Sequence, residues 1–254
     1  MFLINSYRFG GYLPLTTAWK YKPDPTVDTS ILDALNGFEE TIRDDSLIPK
    51  LVAAYVLAGG NADQHSYNFM NVSLYKIAWY GGITHGASGA DFGGTNGYGD
   101  TGINPLMHLS QDDISLGLLC SETTSGSIVD FACVQGGNYC NLAIDFGGDS
   151  YTNINCATFS SASVGDSTGF FVANRPSSSS EIMYDDGTKA INVTKSSTAR
   201  PNATLYLGAR NNGGTAQNFS DRNYKFAFVG FGFTDTDEAN LRAAAVQLQT
   251  DLGR

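Results

Sequence analysis

The chain is poor in charge. Asp, Glu, Lys and Arg supply 16 % of its 254 residues, against about 25 % in an ordinary globular domain. Basic side chains are the scarcer kind, 15 against 25 acidic ones, for a net charge of −10. Nucleic-acid binding needs a basic face to neutralise phosphates, and this balance offers none. No apolar run approaches the roughly 18 residues of a membrane span. The start, Met1-Phe2-Leu3-Ile4-Asn5, has no basic n-region and does not read as a secretory signal. Cysteine is sparse, with Cys120, Cys133, Cys140 and Cys156 only. Zinc ligands come in closely spaced pairs, which these do not form. They read as buried, reduced thiols on strands, with disulfides as the alternative. Also missing are a Gly-x-Ser-x-Gly elbow, a His-Glu-x-x-His pair and a Walker loop. Gly97–Gly102 formally matches Gly-x-Gly-x-x-Gly, but no helix pattern follows it to receive a pyrophosphate.

What is present is glycine (29 residues), aromatics (15 Phe, 13 Tyr, 2 Trp) and 42 % hydrophobic residues. Such a chain can fill a core and is not disordered. Low charge with many Gly, Ser, Thr, Asn and aromatic residues predicts an all-β domain with tight turns. The four sequons, at Asn71, Asn192, Asn202 and Asn218, are about what chance gives and carry no evidence of glycosylation.

Residues 1–27 read as an arm. Pro14, Pro23 and Pro25 favour extended chain, and Phe2, Tyr7, Phe9, Tyr12, Trp19 and Tyr21 are interleaved with polar residues. So aromatic a segment is costly to leave in water, and docking is expected, on its own domain or on a neighbouring subunit. Its removal is expected to leave a folded domain over 28–254. A helix is predicted near 29–45, capped by Asp28 or Thr29, with Ile31, Leu35, Phe38 and Ile42 as its apolar stripe. Leu51–Leu57 reads as a buried strand. A closing helix is predicted near 235–252, with an Asp235/Glu238 capping pair, a Leu241, Ala245, Leu248 and Leu252 stripe, and Gly253 at its C-cap.

Between the helices the pattern is of short strands every 10–15 residues or so. The runs are Ile77–Tyr80, Gly97–Thr101, Ile114–Cys120, Val129–Val134, Asn141–Phe146, Gly169–Ala173, Glu181–Tyr184, Thr188–Val193, Leu205–Gly208 and Tyr224–Gly232. Asp185-Asp186-Gly187 is a hairpin signal. Tyr224–Gly232 is apolar on both faces, as in a strand packed between layers.

Three ordered blocks carry a resemblance. Gly94–Gly102 (GTNGYGDTG), Met183–Thr188 (MYDDGT), and Leu205–Ala209 leading to Phe226–Glu238 are similar to the opening strand, hairpin and closing strand of laminin-G/concanavalin A-like jelly rolls. The expected fold is therefore an all-β, concanavalin A-like jelly-roll sandwich of two antiparallel sheets with flanking N- and C-terminal helices. A narrower likeness joins Leu47–Asn68, Gly81–His85 and Leu248–Arg254 to segments that accompany this jelly roll in virion proteins of tailed bacteriophages. It implies a structural virion component, such as a fibre, baseplate part or capsid decoration. Its expected location is the virion, assembled in the host cytoplasm, and its partners are other virion proteins, copies of itself and a host-surface glycan. A purely architectural role without ligand is the alternative, and a glycan-active hydrolase a second.

Hydrolases of related fold set carboxylates along one strand as Glu-x-Asp-x-x-Glu. Here the nearest run, Glu181–Asp186, has Met183 at the centre and Asp186 at the end, so no catalytic residue is assigned. Sugars stack on aromatic faces and bond to planar amides, which makes Trp79, Tyr80, Asn96, Asn211 and Asn212 the candidate ligand contacts. Phe2, Tyr7, Phe9, Tyr12 and Trp19 are the candidate partner-docking residues. No cofactor is expected. Calcium is the one ion the resemblance allows, at Asp91, Asp100, Asp145, Asp149 or Asp166. His65, His85 and His108 stand near no nucleophile pattern.

Overall fold

The computed structural model describes residues 11–22, 27–122, 126–163 and 165–254. Phe2, Tyr7, Phe9, Pro23 and Pro25 lie outside them. The chain opens with helices α1 (Pro14–Lys20) and α2 (Thr29–Asp44), strand β1 (Leu51–Tyr55) and the short α3 (Ala62–Ser66). Strands β2 (Ala78–Tyr80), β3 (Thr84–Gly86), β4 (Gly89–Asp91) and β5 (Tyr98–Asp100) follow, then one turn of helix, α4 (Pro105–His108). The central run is β6 (Ile114–Cys120), β7 (Phe131–Gln135), β8 (Asn138–Phe146), β9 (Asp149–Cys156), β10 (Ser160–Ser163), β11 (Gly169–Ser177), β12 (Ser180–Asp185) and β13 (Thr188–Thr194). The last elements are β14 (Tyr206–Leu207), β15 (Arg210–Asn212), β16 (Thr215–Gln217), β17 (Asn223–Gly230) and α5 (Asp235–Asp251).

The strands form two sheets. One runs β13-β12-β11-β6-β17-β4-β3, with β1 also paired to β17. The other runs β10-β9-β8-β7-β14-β5-β2, and β15 joins it through β7. Pairing is antiparallel throughout, except that β15 lies parallel to β7. The fold is thus the expected all-β two-sheet sandwich.

Alternation explains the layering. On β17, Tyr224, Ala227 and Val229 enter the core between the sheets with Leu116 and Leu118 of β6 and Phe131, Leu142 and Ile144 of the facing sheet. Phe226 and Phe228 point the other way, into a second core with Leu35, Phe38 and Ile42 of α2 and Leu241, Ala245 and Leu248 of α5. The first sheet is therefore buried on both faces, as an apolar-on-both-sides strand requires. Among the described residues, the apolar cluster on the outer face of the second sheet includes no helix residue.

Several local expectations can be checked. Asp28 caps α2 through Ser30 N. The cap of α5 falls one residue before the expected one: Thr234 and Asp237 bond each other's backbone N–H groups as a full capping box, while Asp235 accepts from Tyr184 Oη at 2.7 Å and Lys189 Nζ at 2.8 Å. The Asp-Gly hairpin has positive φ at both Asp186 and Gly187, +43° and +84°, as a two-residue turn between paired Asp185 and Thr188 demands. The four thiols are free and buried, and burial pushes that of Cys120 up to about 12.

The described part of the arm is helical, not extended, because Pro14 falls in the first turn, where a missing N–H costs nothing. No side chain of α1 caps it. Glu39 of α2 does so instead, accepting from Leu15 N and Thr16 N at 3.0 and 2.8 Å. Trp19 is 0 % exposed against the helix core, so its indole faces this chain and offers no surface to a partner. Tyr12 is half-buried beside it.

Candidate functional site

Strand alternation decides which aromatics face outward on the second sheet. Tyr80 on β2 pairs with Tyr98 on β5, and Tyr206 on β14 pairs with Asp100, which places it diagonally beside Tyr98 on the same face. Their rings stack with centroids 4.9 Å apart for Tyr80–Tyr98 and 4.6 Å for Tyr98–Tyr206. Both faces of the middle ring are occupied, which leaves the outer face of Tyr80, itself 48 % exposed, as the open plane of the ladder. Burial beside Asp100, Tyr98 and Tyr80 pushes the Tyr206 phenol up to about 12, so it is a neutral hydroxyl near pH 7.

Tyr206 pairs with Ala132, and Ala132 begins a small apolar cluster on the same outer face, with Val129, Ala143, Phe146 and Tyr151. Here the sheet is hollowed into a cleft of about 230 Å³ lined by Val129, Asn141, Ala143, Phe146, Tyr151, Phe159 and Arg210. Phe146 and Phe159 each meet Tyr151 edge to face, at 86° and 90° with centroids 6.0 Å apart. Asn141, opposite Asn153 on β9, is 1 % exposed, yet neither its Oδ1 nor its Nδ2 has a hydrogen-bond partner. A buried amide without partners costs several kcal/mol, of the order of 2–7. Arg210 leaves its Nε unpaired and gives one bond from Nη2 to Gln217 Oε1 at 3.3 Å.

The sequence-based candidates divide. Tyr80 belongs to the outer face. Trp79, its neighbour, necessarily points the other way: it packs on Phe92 and His85 and donates from Nε1 to Ala62 O at 2.8 Å. Gly99 opposite it makes room, since a Cβ there would lie 2.5 Å from the indole. Asn211 is 2 % exposed and holds its own loop through Thr204 O and Gly214 N. Exposed Asn96 accepts from Gly82 N in the β2–β3 turn. Exposed Asn212 donates to Gln217 Oε1. Sequence reading missed Asn141, Tyr151, Phe159 and Arg210. The only signal was a period-two pattern through β9, a strand not recognised among its polar residues.

Four of the five acidic candidates are used structurally. Asp91, Asp100, Asp145 and Asp166 accept from the backbone N–H groups of Gly93, Gly102, Gly148 and Thr168, closing turns. Among the described residues no three His, Cys, Asp or Glu side chains converge as a metal site. Glu181 is wholly buried and accepts from Ile154 N and Ser160 Oγ beside Lys195 Nζ at 3.0 Å.

A second cluster lies beside the edge strands β2 and β3. Gly60 N donates to His65 Nε2, so His65 Nδ1 carries the proton toward His85 Nδ1 at 3.0 Å. Burial, with the nearby His85 and Arg254, lowers the His65 pKa to about 3.

No protein-family model matches the chain, and no curated protein matches its sequence. Solved structures do match in fold. A sialidase of Trypanosoma rangeli, in complex with a difluorinated nononic acid, superposes with a TM-score of 0.54 at 11 % identity over 83 % of this chain and 39 % of its own. This chain thus spans about two fifths of that enzyme. Domain 4 of AbnA, an extracellular arabinanase of Geobacillus stearothermophilus in complex with arabinotriose, gives 0.51 at 13 % identity over 76 % of this chain and 98 % of that domain. The binding domain of botulinum neurotoxin serotype D gives 0.51 at 7 % identity over 76 % of this chain and 51 % of its own. The class these likenesses define is the two-sheet β-sandwich.

Proposed function

We propose that this chain is a non-catalytic carbohydrate-binding module of a tailed-phage virion protein, presenting the outer face of its second sheet to glycan on a host surface. The observation that carries the binding part is the outer cleft, where aromatic rings surround a buried amide lacking partners. Rings supply the apolar planes that sugar C–H faces prefer, and the amide supplies a donor and an acceptor. Similar sandwiches solved with sugar ligands, the arabinotriose-bound domain among them, support the same reading. The non-catalytic part is supported by Glu181, whose carboxylate is buried in its own network. The virion part, with other virion proteins and further copies of the chain as partners, rests on the three sequence segments given above.

A glycan array probed with the full chain tests the binding part. Retention of a defined set of oligosaccharides is expected, reduced about tenfold or more, some 1.4 kcal/mol, by Tyr151→Ala. Retention that Tyr151→Ala and Phe146→Ala leave unchanged would move the site elsewhere. An architectural role is favoured by one surface: Leu74 and Met107, 51 % and 70 % exposed, flank the Tyr75–His108 ring contact. A silent array would select it.

A further inference from the structure

Resting on the carbohydrate-binding reading of the outer cleft, we propose that its occupant is a sugar bearing a carboxylate. The argument begins with charge. In a chain of net charge −10, an arginine beside a cleft normally finds an acidic neighbour. Arg43, Arg175, Arg222 and Arg242 each have one within ion-pair distance, and Arg200 and Arg254 spend their guanidiniums on backbone carbonyl oxygens. Arg210 has none among the described residues, and no residue lining its cleft is acidic. Its Nε is buried and without a partner, while Nη2 makes one long bond to a neutral amide. A guanidinium presents donors in a planar fork that fits a carboxylate with two bonds. Leaving part of that fork dry and unpaired is costly, and a ligand carboxylate removes the cost.

The rest of the cleft fits a sugar ring more than a small free anion. Its volume of about 230 Å³ falls below the roughly 300–1,000 Å³ of sites for drug-sized ligands, a size for one ring. Phe146, Tyr151 and Phe159 supply apolar walls, and the Asn141 amide offers one donor and one acceptor to neutral groups of the same ring. The tyrosine ladder beyond Ala132 can then carry the next ring of a chain on the open face of Tyr80. Hexuronic acids and nonulosonic acids share this carboxylate chemistry, and the assay has to separate them.

The test is calorimetric titration of the full chain with matched pairs. One pair is sialyllactose and lactose, the other a glucuronic acid-containing oligosaccharide and its carboxyl-reduced form. Binding of at least one acid at least tenfold tighter than its neutral partner is expected, with affinity falling as salt rises from 50 to 500 mM. The identity of that pair assigns the source. Arg210→Gln should abolish the preference, and Arg210→Lys should restore part of it. Equal affinity for acid and neutral partners, or a preference that survives Arg210→Gln, overturns the carboxylate assignment and leaves the carbohydrate reading standing. Absence of binding by every sugar overturns both. The wild-type comparison and its salt dependence need no variant, so a poorly folded Arg210→Gln does not blunt the test.

Discussion

At the scale of single residues, the chain spends most of its polar side chains on itself, and the exceptions are informative. Asn211 satisfies its loop, Asn96 holds a turn, and Glu181 sits in a buried network. Among the residues that keep unpaired buried polar atoms are Asn141 and Arg210, and these two line the same cleft. His65 predicts a pH dependence. Its folded pKa is about 3, below the unfolded value of about 6.5, so the unfolded state takes up a proton first on acidification. Stability from this group is complete above pH 6.5 and is lost as pH falls toward 3, by up to about 1.4 kcal/mol per pH unit. His85 is shifted in the same direction by burial. Urea midpoints at pH 7 and pH 4.5 should fall accordingly, and His65→Gln should flatten the difference. An unchanged slope in that variant would remove His65 as the source.

At the scale of elements, the arm and the helix pair are one unit. The N-terminal N–H groups of α1 are capped by Glu39 of α2, whose carboxylate is fully buried and also bound by Arg43 at 2.6 Å. Removing residues 1–27 deletes Trp19 from the core and leaves that carboxylate short of three donors from Leu15 and Thr16. The domain over 28–254 is therefore expected to fold with reduced stability. Trp19→Ala should cost about 3–5 kcal/mol, and deletion of 1–27 should cost at least as much, read as a lowered midpoint in denaturant. A deletion variant as stable as the intact chain would show that α1 adds nothing. Three further segments also meet at this scale. Leu47–Asn68, Gly81–His85 and Leu248–Arg254 are distant in sequence yet meet in space: Asn68 bonds Ala54 N, His65 bonds His85, and Arg254 donates to Val56 O, Leu57 O and Ala87 O. They hold β1 and the C-terminal helix against one sheet edge.

At the scale of the whole molecule, two cores share one sheet, and the cysteines report on the inner one. Cys120, Cys133 and Cys140 lie between the sheets, with thiols raised by burial. They should react with a thiol reagent only through unfolding, at one common rate that rises with denaturant. Fast reaction of one of them in native buffer would place a local opening at its strand. Much of this architecture was legible beforehand, because period-two alternation, the Asp-Gly turn and the two helical stripes are local signals that tertiary context did not override. β6 matches its expected limits, Ile114–Cys120. The missed strand β9 is half polar, and only its place opposite β8 makes Asn153 and Tyr151 readable. Composition and pattern by themselves determined the all-β class and the limits of α2 and α5, since each depends on neighbours in sequence. Which face of the sheet is open, why Trp79 turns inward while Tyr80 turns out, and the meeting of Asn141, Tyr151, Phe159 and Arg210 were decided only by tertiary structure. Asn141, Tyr151 and Phe159 come from the β8–β9–β10 meander, but Arg210 joins them only through the long-range pairing of β15 with β7, and no local signal encodes which side chains that assembly leaves unpartnered.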